Sequence, residues 1–155
     1  MHLPTLLLPV LSLTATAAAA AIVNGPPFPN NAFIVQSLTI YNSTKPGEYT
    51  ISFFVKDPDP ADSVTTVCGT QWTGAKDFPA AYRECKNPAV VYQLSDFKSM
   101  TDFVIGAKHT STLPSLGGKT TYAKGPITKK DLVCKPTYCT LAPGATVTLP
   151  LYGFI

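Results

Sequence analysis

The alternation of apolar and polar positions is the strongest signal along this chain. Tyr49, Ile51, Phe53 and Val55 alternate with Thr50, Ser52, Phe54 and Lys56. A period of two, built from aromatic and β-branched residues, predicts a strand with one buried face. Phe33 to Tyr41 is equally strand-like but apolar on both faces. Between the two, Lys45–Pro46–Gly47 suits a type II turn with Pro at i+1 and Gly at i+2, so 33–56 predict a hairpin. Thr65 to Trp72 predicts a strand with Thr66, Cys68, Thr70 and Trp72 on one face. Ala89 to Leu94 is another. Phe103 to His109 places Phe103, Ile105 and Ala107 on one side. Lys119 to Ala123 reads as a more polar strand, and short pieces surround Cys134 and Cys139. Val147, Leu149 and Leu151 line one face of a last strand. No segment keeps a 3.6-residue period, and residues 95–102 hold one helical turn at most. Short strands at regular spacing between turn signals predict an all-β fold, a compact antiparallel β-sandwich or β-barrel.

Proline sharpens this picture. The chain has 15 prolines in 155 residues, roughly twice the usual share of about 5%. Pro46, Pro58, Pro60, Pro79, Pro88, Pro114, Pro126 and Pro143 fall between the predicted strands. Proline cannot donate to a ladder, so connections are where it is tolerated. It also stiffens loops by reducing the entropy of the unfolded chain.

The N-terminus has a different character. Leu3 to Leu13 is almost wholly apolar and runs through Thr14, Ala15 and Thr16 into Ala17 to Ala21. An apolar core of about 7–15 residues followed by an A-x-A site has the form of a secretory signal. Residues 1–21 therefore read as a signal peptide and 22–155 as a single secreted β domain. No Lys or Arg precedes the apolar core, which departs from the usual pattern. Pro4 and Pro9 argue against a buried helix here. No other stretch approaches the ~20 apolar residues of a membrane span.

Cys68, Cys85, Cys134 and Cys139 all lie after this segment. An even count in a small secreted chain implies disulfides, with three pairings open. The pairs nearest in sequence are Cys68–Cys85 and Cys134–Cys139. Closing loops of those lengths stabilises by roughly 3 and 2 kcal/mol on the chain-entropy model. No C-x-x-C or nearby histidine pair suggests zinc, so no metal is expected. Asn42–Ser43–Thr44 is a glycosylation sequon beside the predicted turn.

Catalytic signatures are sparse. His109 is the one histidine after the leader, and no G-x-S-x-G surrounds any serine. It reads as a hydrogen-bonded structural residue. Only two glutamates exist, Glu48 and Glu84, and neither is paired with a partner for glycoside hydrolysis. Asp57–Pro58–Asp59–Pro60–Ala61–Asp62 is the densest acidic segment. Three carboxylates fall short of the six to eight oxygens that calcium takes. The segment reads as a solvated loop. No enzyme activity and no cofactor are expected.

Charge adds a candidate surface. Charged residues make up 14% of the chain, below the usual ~25%, and all of them follow residue 44. The net charge of +3 is too small to point to nucleic acid. Yet Lys108, Lys119, Lys124, Lys129, Lys130 and Lys135 face one acid, Asp131, in that stretch. Lys119, Lys124, Lys129, Lys130 and Lys135 are the candidate partner-binding residues, suited to an acidic partner.

A strand ending Phe53–Phe54–Val55–Lys56–Asp57–Pro58 is followed by Val67–Cys68, Gln71–Trp72 and Tyr82–Arg83–Glu84–Cys85. The tail carries Lys130–Asp131–Leu132–Val133–Cys134 and Ala145–Thr146–Val147–Thr148–Leu149–Pro150. In order and spacing, these segments resemble the small secreted fungal proteins related to the major Alternaria allergen, over roughly 33–151. The resemblance implies a compact β fold with two intramolecular disulfides, Cys68 and Cys85 matching the first pair. It implies secretion and a role as allergen, elicitor or virulence effector that acts by binding in the plant apoplast. Cys139 lies closer to Cys134 than the family pattern has it. No cysteine lies between residues 22 and 67, so a disulfide-linked dimer is not expected.

The leading expectation is a secreted, non-enzymatic effector that binds a host extracellular protein or a small ligand. The alternatives are a carbohydrate- or cell-wall-binding protein, a small hydrolase and a protease inhibitor. Carbohydrate binding asks for a flat aromatic platform. Trp72, the one tryptophan, shares the phase of Cys68 and is expected to be buried.

Overall fold

The computed structural model describes residues 32–43 and 47–155. The signal-peptide reading and the Lys45–Pro46 part of the turn lie outside them. Ten strands run in chain order: β1 (Ala32–Asn42), β2 (Glu48–Asp57), β3 (Val64–Thr73), β4 (Arg83–Glu84) and β5 (Val90–Ser99). β6 (Asp102–Thr110), β7 (Thr120–Thr128), β8 (Leu132–Lys135), β9 (Tyr138–Leu141) and β10 (Thr146–Phe154) follow. Pro114–Leu116 forms one 3-10 turn.

Every strand pairing among the described residues is antiparallel, and the strand order is β3-β2-β1-β10-β7-β6-β5-β4. The sheet curls until its ends nearly meet. Cys68 on β3 is bonded to Cys85, just after β4. Beside that bridge the Lys86 N–H donates to the Val67 carbonyl, and the Asn87 N–H to the Thr66 hydroxyl. The result is a barrel closed at the seam by one staple and two hydrogen bonds. The hairpin β8–β9 extends the other flank of β1, with Cys134 bonded to Cys139 directly across it. Of the three cysteine pairings, the chain takes the two nearest in sequence.

The interior is filled by the predicted alternation. Ile51, Phe53 and Val55 of β2 and Phe103, Ile105 and Ala107 of β6 are buried. Trp72 is buried as expected, stacked on Tyr49 at 5.4 Å and met edge-on by Phe97 at 5.3 Å. Edge-to-face and offset geometries are those that aromatic quadrupoles favour.

Two segments break the alternation for one reason. In β1 the buried positions are Phe33 and Val35, then Leu38 and Ile40. The change of phase falls on Ser37, whose φ is 50°, inside a bulge between Gln36 and Thr39. One extra residue resets which side chains point inward. This is why the segment is apolar on both faces by sequence. The same bulge divides the flank of β1, with 32–36 pairing β10 and 39–41 pairing β9.

In β5 the buried set is Val90, Tyr92 and Leu94, then Phe97, across a bulge between Leu94 and Asp96. Residues 95–102, which by sequence leave room for one helical turn at most, are strand as far as Ser99. Phe97, held among Trp72, Tyr49 and Phe103, fixes it there.

Pro126 also departs from expectation, since it lies within β7 and not in a loop. β10 pairs with β7 only over Thr121 to Ala123. Beyond that the flank of β7 is a local edge, where a missing N–H costs nothing.

Candidate binding face

His109 lies inside one end of the barrel. Its Nδ1 meets Asp57 Oδ2 at 2.8 Å, and its Nε2 faces Asp62 Oδ2 at 3.6 Å. Asp57 also accepts the Asp59 N–H at 3.0 Å. His109 is hydrogen-bonded, as the sequence suggested. The acidic segment, however, is not simply a solvated loop: its first carboxylate is buried, because it reaches the one imidazole inside. The space beside this cluster, lined by Ser111, Leu116 and Thr121, is about 10 Å³, close to the room one water needs. Both ring nitrogens face carboxylates. Among the described residues no group of three His, Cys, Asp or Glu is placed to hold a metal ion.

The five candidate lysines do not converge. Lys119 precedes β7 and Lys129–Lys130 follow it. A nine-residue strand spans roughly 30 Å at about 3.3 Å per residue. Lys135 sits on the β8–β9 hairpin, opposite Tyr138. Only Lys124 lies mid-strand on the outer surface, where it is exposed. Asn42 ends β1, half-buried, with its N–H on the Thr137 carbonyl. The last residue of its sequon, Thr44, lies outside the described residues.

A different cluster forms around Lys124. Ala107 and Ala123 are buried, so alternation turns Lys108, Tyr122 and Lys124 outward. Lys108 on β6 stands opposite Tyr122 on β7. A bulge between Leu151 and Gly153 of β10 brings out Tyr152, which is 54% exposed. Tyr82 comes from the loop before β4. The Lys108 ammonium sits 3.8 Å from the centroid of the Tyr82 ring and 5.6 Å from that of Tyr122. Tyr122 and Tyr152 lie 5.9 Å apart, tilted by 52°. The Tyr82 and Tyr152 hydroxyls meet at 3.4 Å. Partial burial, and then the hydrogen bond to Tyr152, push the Tyr82 phenol well above its ordinary value.

Two tyrosines thus flank one lysine and a third, Tyr152, packs on both of them, with a second lysine on the diagonal, where neighbours are about 7–8 Å apart. Neither Lys108 nor Lys124 has a carboxylate within ion-pair distance among the described residues, whose Lys ion pairs involve Lys98 with Asp96 and Asp102. Sequence reasoning included Lys124 and missed the tyrosines. They come from three separate segments, and the one local hint was Tyr122 falling out of phase with buried Ala123.

No helix among the described residues is long and apolar enough to cross a membrane. Comparison with protein-family models, with curated proteins and with solved structures finds no match to this chain. The resemblance to the Alternaria allergen group rests on the quoted residues alone.

Proposed function

We propose that this chain is a secreted, non-enzymatic binding protein of the effector or elicitor kind, meeting an extracellular partner through the outer face of β6, β7 and β10. The observation that carries this reading is the cluster of Tyr82, Tyr122 and Tyr152 around Lys108. Tyrosine combines a large stacking surface with a polar tip at low entropic cost, which suits it to contact surfaces. The leader-like N-terminus and the two disulfides fit an oxidising, extracellular setting. The resemblance described above supplies the plant apoplast as the place of action. His109, enclosed between Asp57 and Asp62, supports a structural role for the one imidazole of the domain.

The test incubates the oxidised protein with plant extracellular material and compares it with Tyr152→Ala. Retention of the wild type, loss of retention in the variant and unchanged chemistry of the material are expected. Equal retention of both, or turnover of the material, overturns the reading.

A further inference from the structure

We infer that this face binds a linear acidic polysaccharide, with sugar rings against Tyr82, Tyr122 and Tyr152 and carboxylates at Lys108 and Lys124. The inference rests on the binding-face reading and names its ligand class.

The geometry of the strands narrows the ligand. β6 lies between β5 and β7, and β10 lies between β1 and β7. β6 is paired on both flanks at Lys108, and β7 at Tyr122. An extended peptide cannot pair with β6 at Lys108 or with β7 at Tyr122, so strand addition does not account for the face at these two residues. Ring faces and cations remain. A pyranose ring presents C–H groups on its flat side, which fit the negative face of an aromatic ring, as a cation does.

Tyr122 and Tyr152 are tilted by 52°, so successive rings face successive directions, as the units of a twisted polymer do. Tyr152 stands most exposed. Gly106, two residues before Lys108 on the same outward side, carries no side chain, and Gln93 lies across it. Gly106 is thus buried under the Gln93 side chain, which brings an amide to this side of the sheet.

Charge selects the acidic class. Lys108 and Lys124 are uncompensated by any carboxylate within 4 Å among the described residues. A ligand bringing one carboxylate per sugar would meet both, and binding would weaken with salt. A neutral glycan would leave both ammonium groups without a counter-charge.

The experiment uses the full oxidised chain and four probes: polygalacturonate, its fully methyl-esterified form, polyglutamate and a single-stranded oligonucleotide. Affinity is read by calorimetry at low and moderate salt. Polygalacturonate is expected to bind at least about tenfold more tightly than the other three. Tyr152→Ala and Lys108→Gln/Lys124→Gln should each weaken it about tenfold, while Lys129→Gln/Lys130→Gln should not. Thermal unfolding of each variant confirms that the fold is intact. Equal binding of polyglutamate makes the partner an acidic protein and overturns the inference, and equal binding of the oligonucleotide makes it a nucleic acid. Equal binding of the esterified polymer removes the role of charge. Should polygalacturonate fail to bind while Tyr152-sensitive retention on plant material persists, this inference falls and the binding-face reading stands. Should neither respond to Tyr152, both fall.

Discussion

The His109 imidazole and the Asp57 carboxylate, 52 residues apart in sequence, meet at 2.8 Å inside the barrel. Asp57 ends β2 and His109 lies near the end of β6, strands separated in the sheet by β1, β10 and β7. The contact therefore crosses the interior and ties opposite walls. Both side chains are buried; the imidazole has Asp57 as its hydrogen-bond partner, and Asp57 also accepts the Asp59 N–H.

Removing one partner should be costly. Asp57→Ala leaves a buried imidazole without its acceptor and is expected to lose about 3 kcal/mol or more. Asp62→Asn, whose oxygen stands 3.6 Å from Nε2 and outside hydrogen-bond range, should lose about 1 kcal/mol or less. Urea unfolding at neutral pH measures both. Equal losses would show that the bond to Asp57 has no special weight.

The two disulfides should differ in effect. Cys68–Cys85 closes the seam and a separation of 17 residues, whereas Cys134–Cys139 closes only 5 within a hairpin. Replacing the first pair with serine is expected to cost about 3 kcal/mol, and the second about 2 kcal/mol. The first should also raise hydrogen exchange along β3 and β4, where the barrel is joined by few other bonds. Exchange confined to the β8–β9 hairpin in both variants would contradict this.

Tyr92 predicts an alkaline limb to stability. Burial pushes its phenol up to about 12, against smaller opposing effects of the Arg83 charge and the Thr70 hydroxyl. In the unfolded chain it titrates near 10. Between these values the unfolded state has lost a proton that the folded state keeps, so stability falls as pH rises, by at most about 1.4 kcal/mol per pH unit. The hydroxyl also has no hydrogen bond of good geometry among the described residues. Tyr92→Phe should therefore gain about 1 kcal/mol at neutral pH and flatten the decline above pH 10. A variant with an unchanged alkaline limb would assign that limb elsewhere.

Gly69 marks a close approach of β3 to β2. A Cβ there would stand 2.5 Å from the Ile51 carbonyl oxygen and 3.1 Å from Ser52 Cα. Both obstacles are backbone, so the strands must part. Gly69→Ala is expected to cost about 2 kcal/mol, read as a lower urea midpoint. A neutral outcome would mean that β3 shifts freely despite its bridge at Cys68.

Much of the candidate site lay beyond sequence reasoning for a definite reason. Lys124 was legible as a charge in a basic run. Tyr82, Tyr122 and Tyr152 are scattered over 71 residues of chain numbering, and only the pairing of β6, β7 and β10 brings them together. Conversely, Lys119 and Lys129 look adjacent in a charge count, yet an entire strand separates them.

The sequence by itself determined the all-β class, most strand positions and the buried faces of β2, β3 and β6. Period-two alternation is a local property, and burial on one side of a sheet leaves it written in the chain. The tertiary structure decided where that alternation restarts. Bulges at Ser37 and between Leu94 and Asp96 each insert one residue and reverse the inward face. In sequence such a reversal looks like a strand apolar on both sides, or like a helical turn. It also decided that the sheet closes at Cys68–Cys85, and that three tyrosines gather beside one lysine, because both depend on which strands become neighbours.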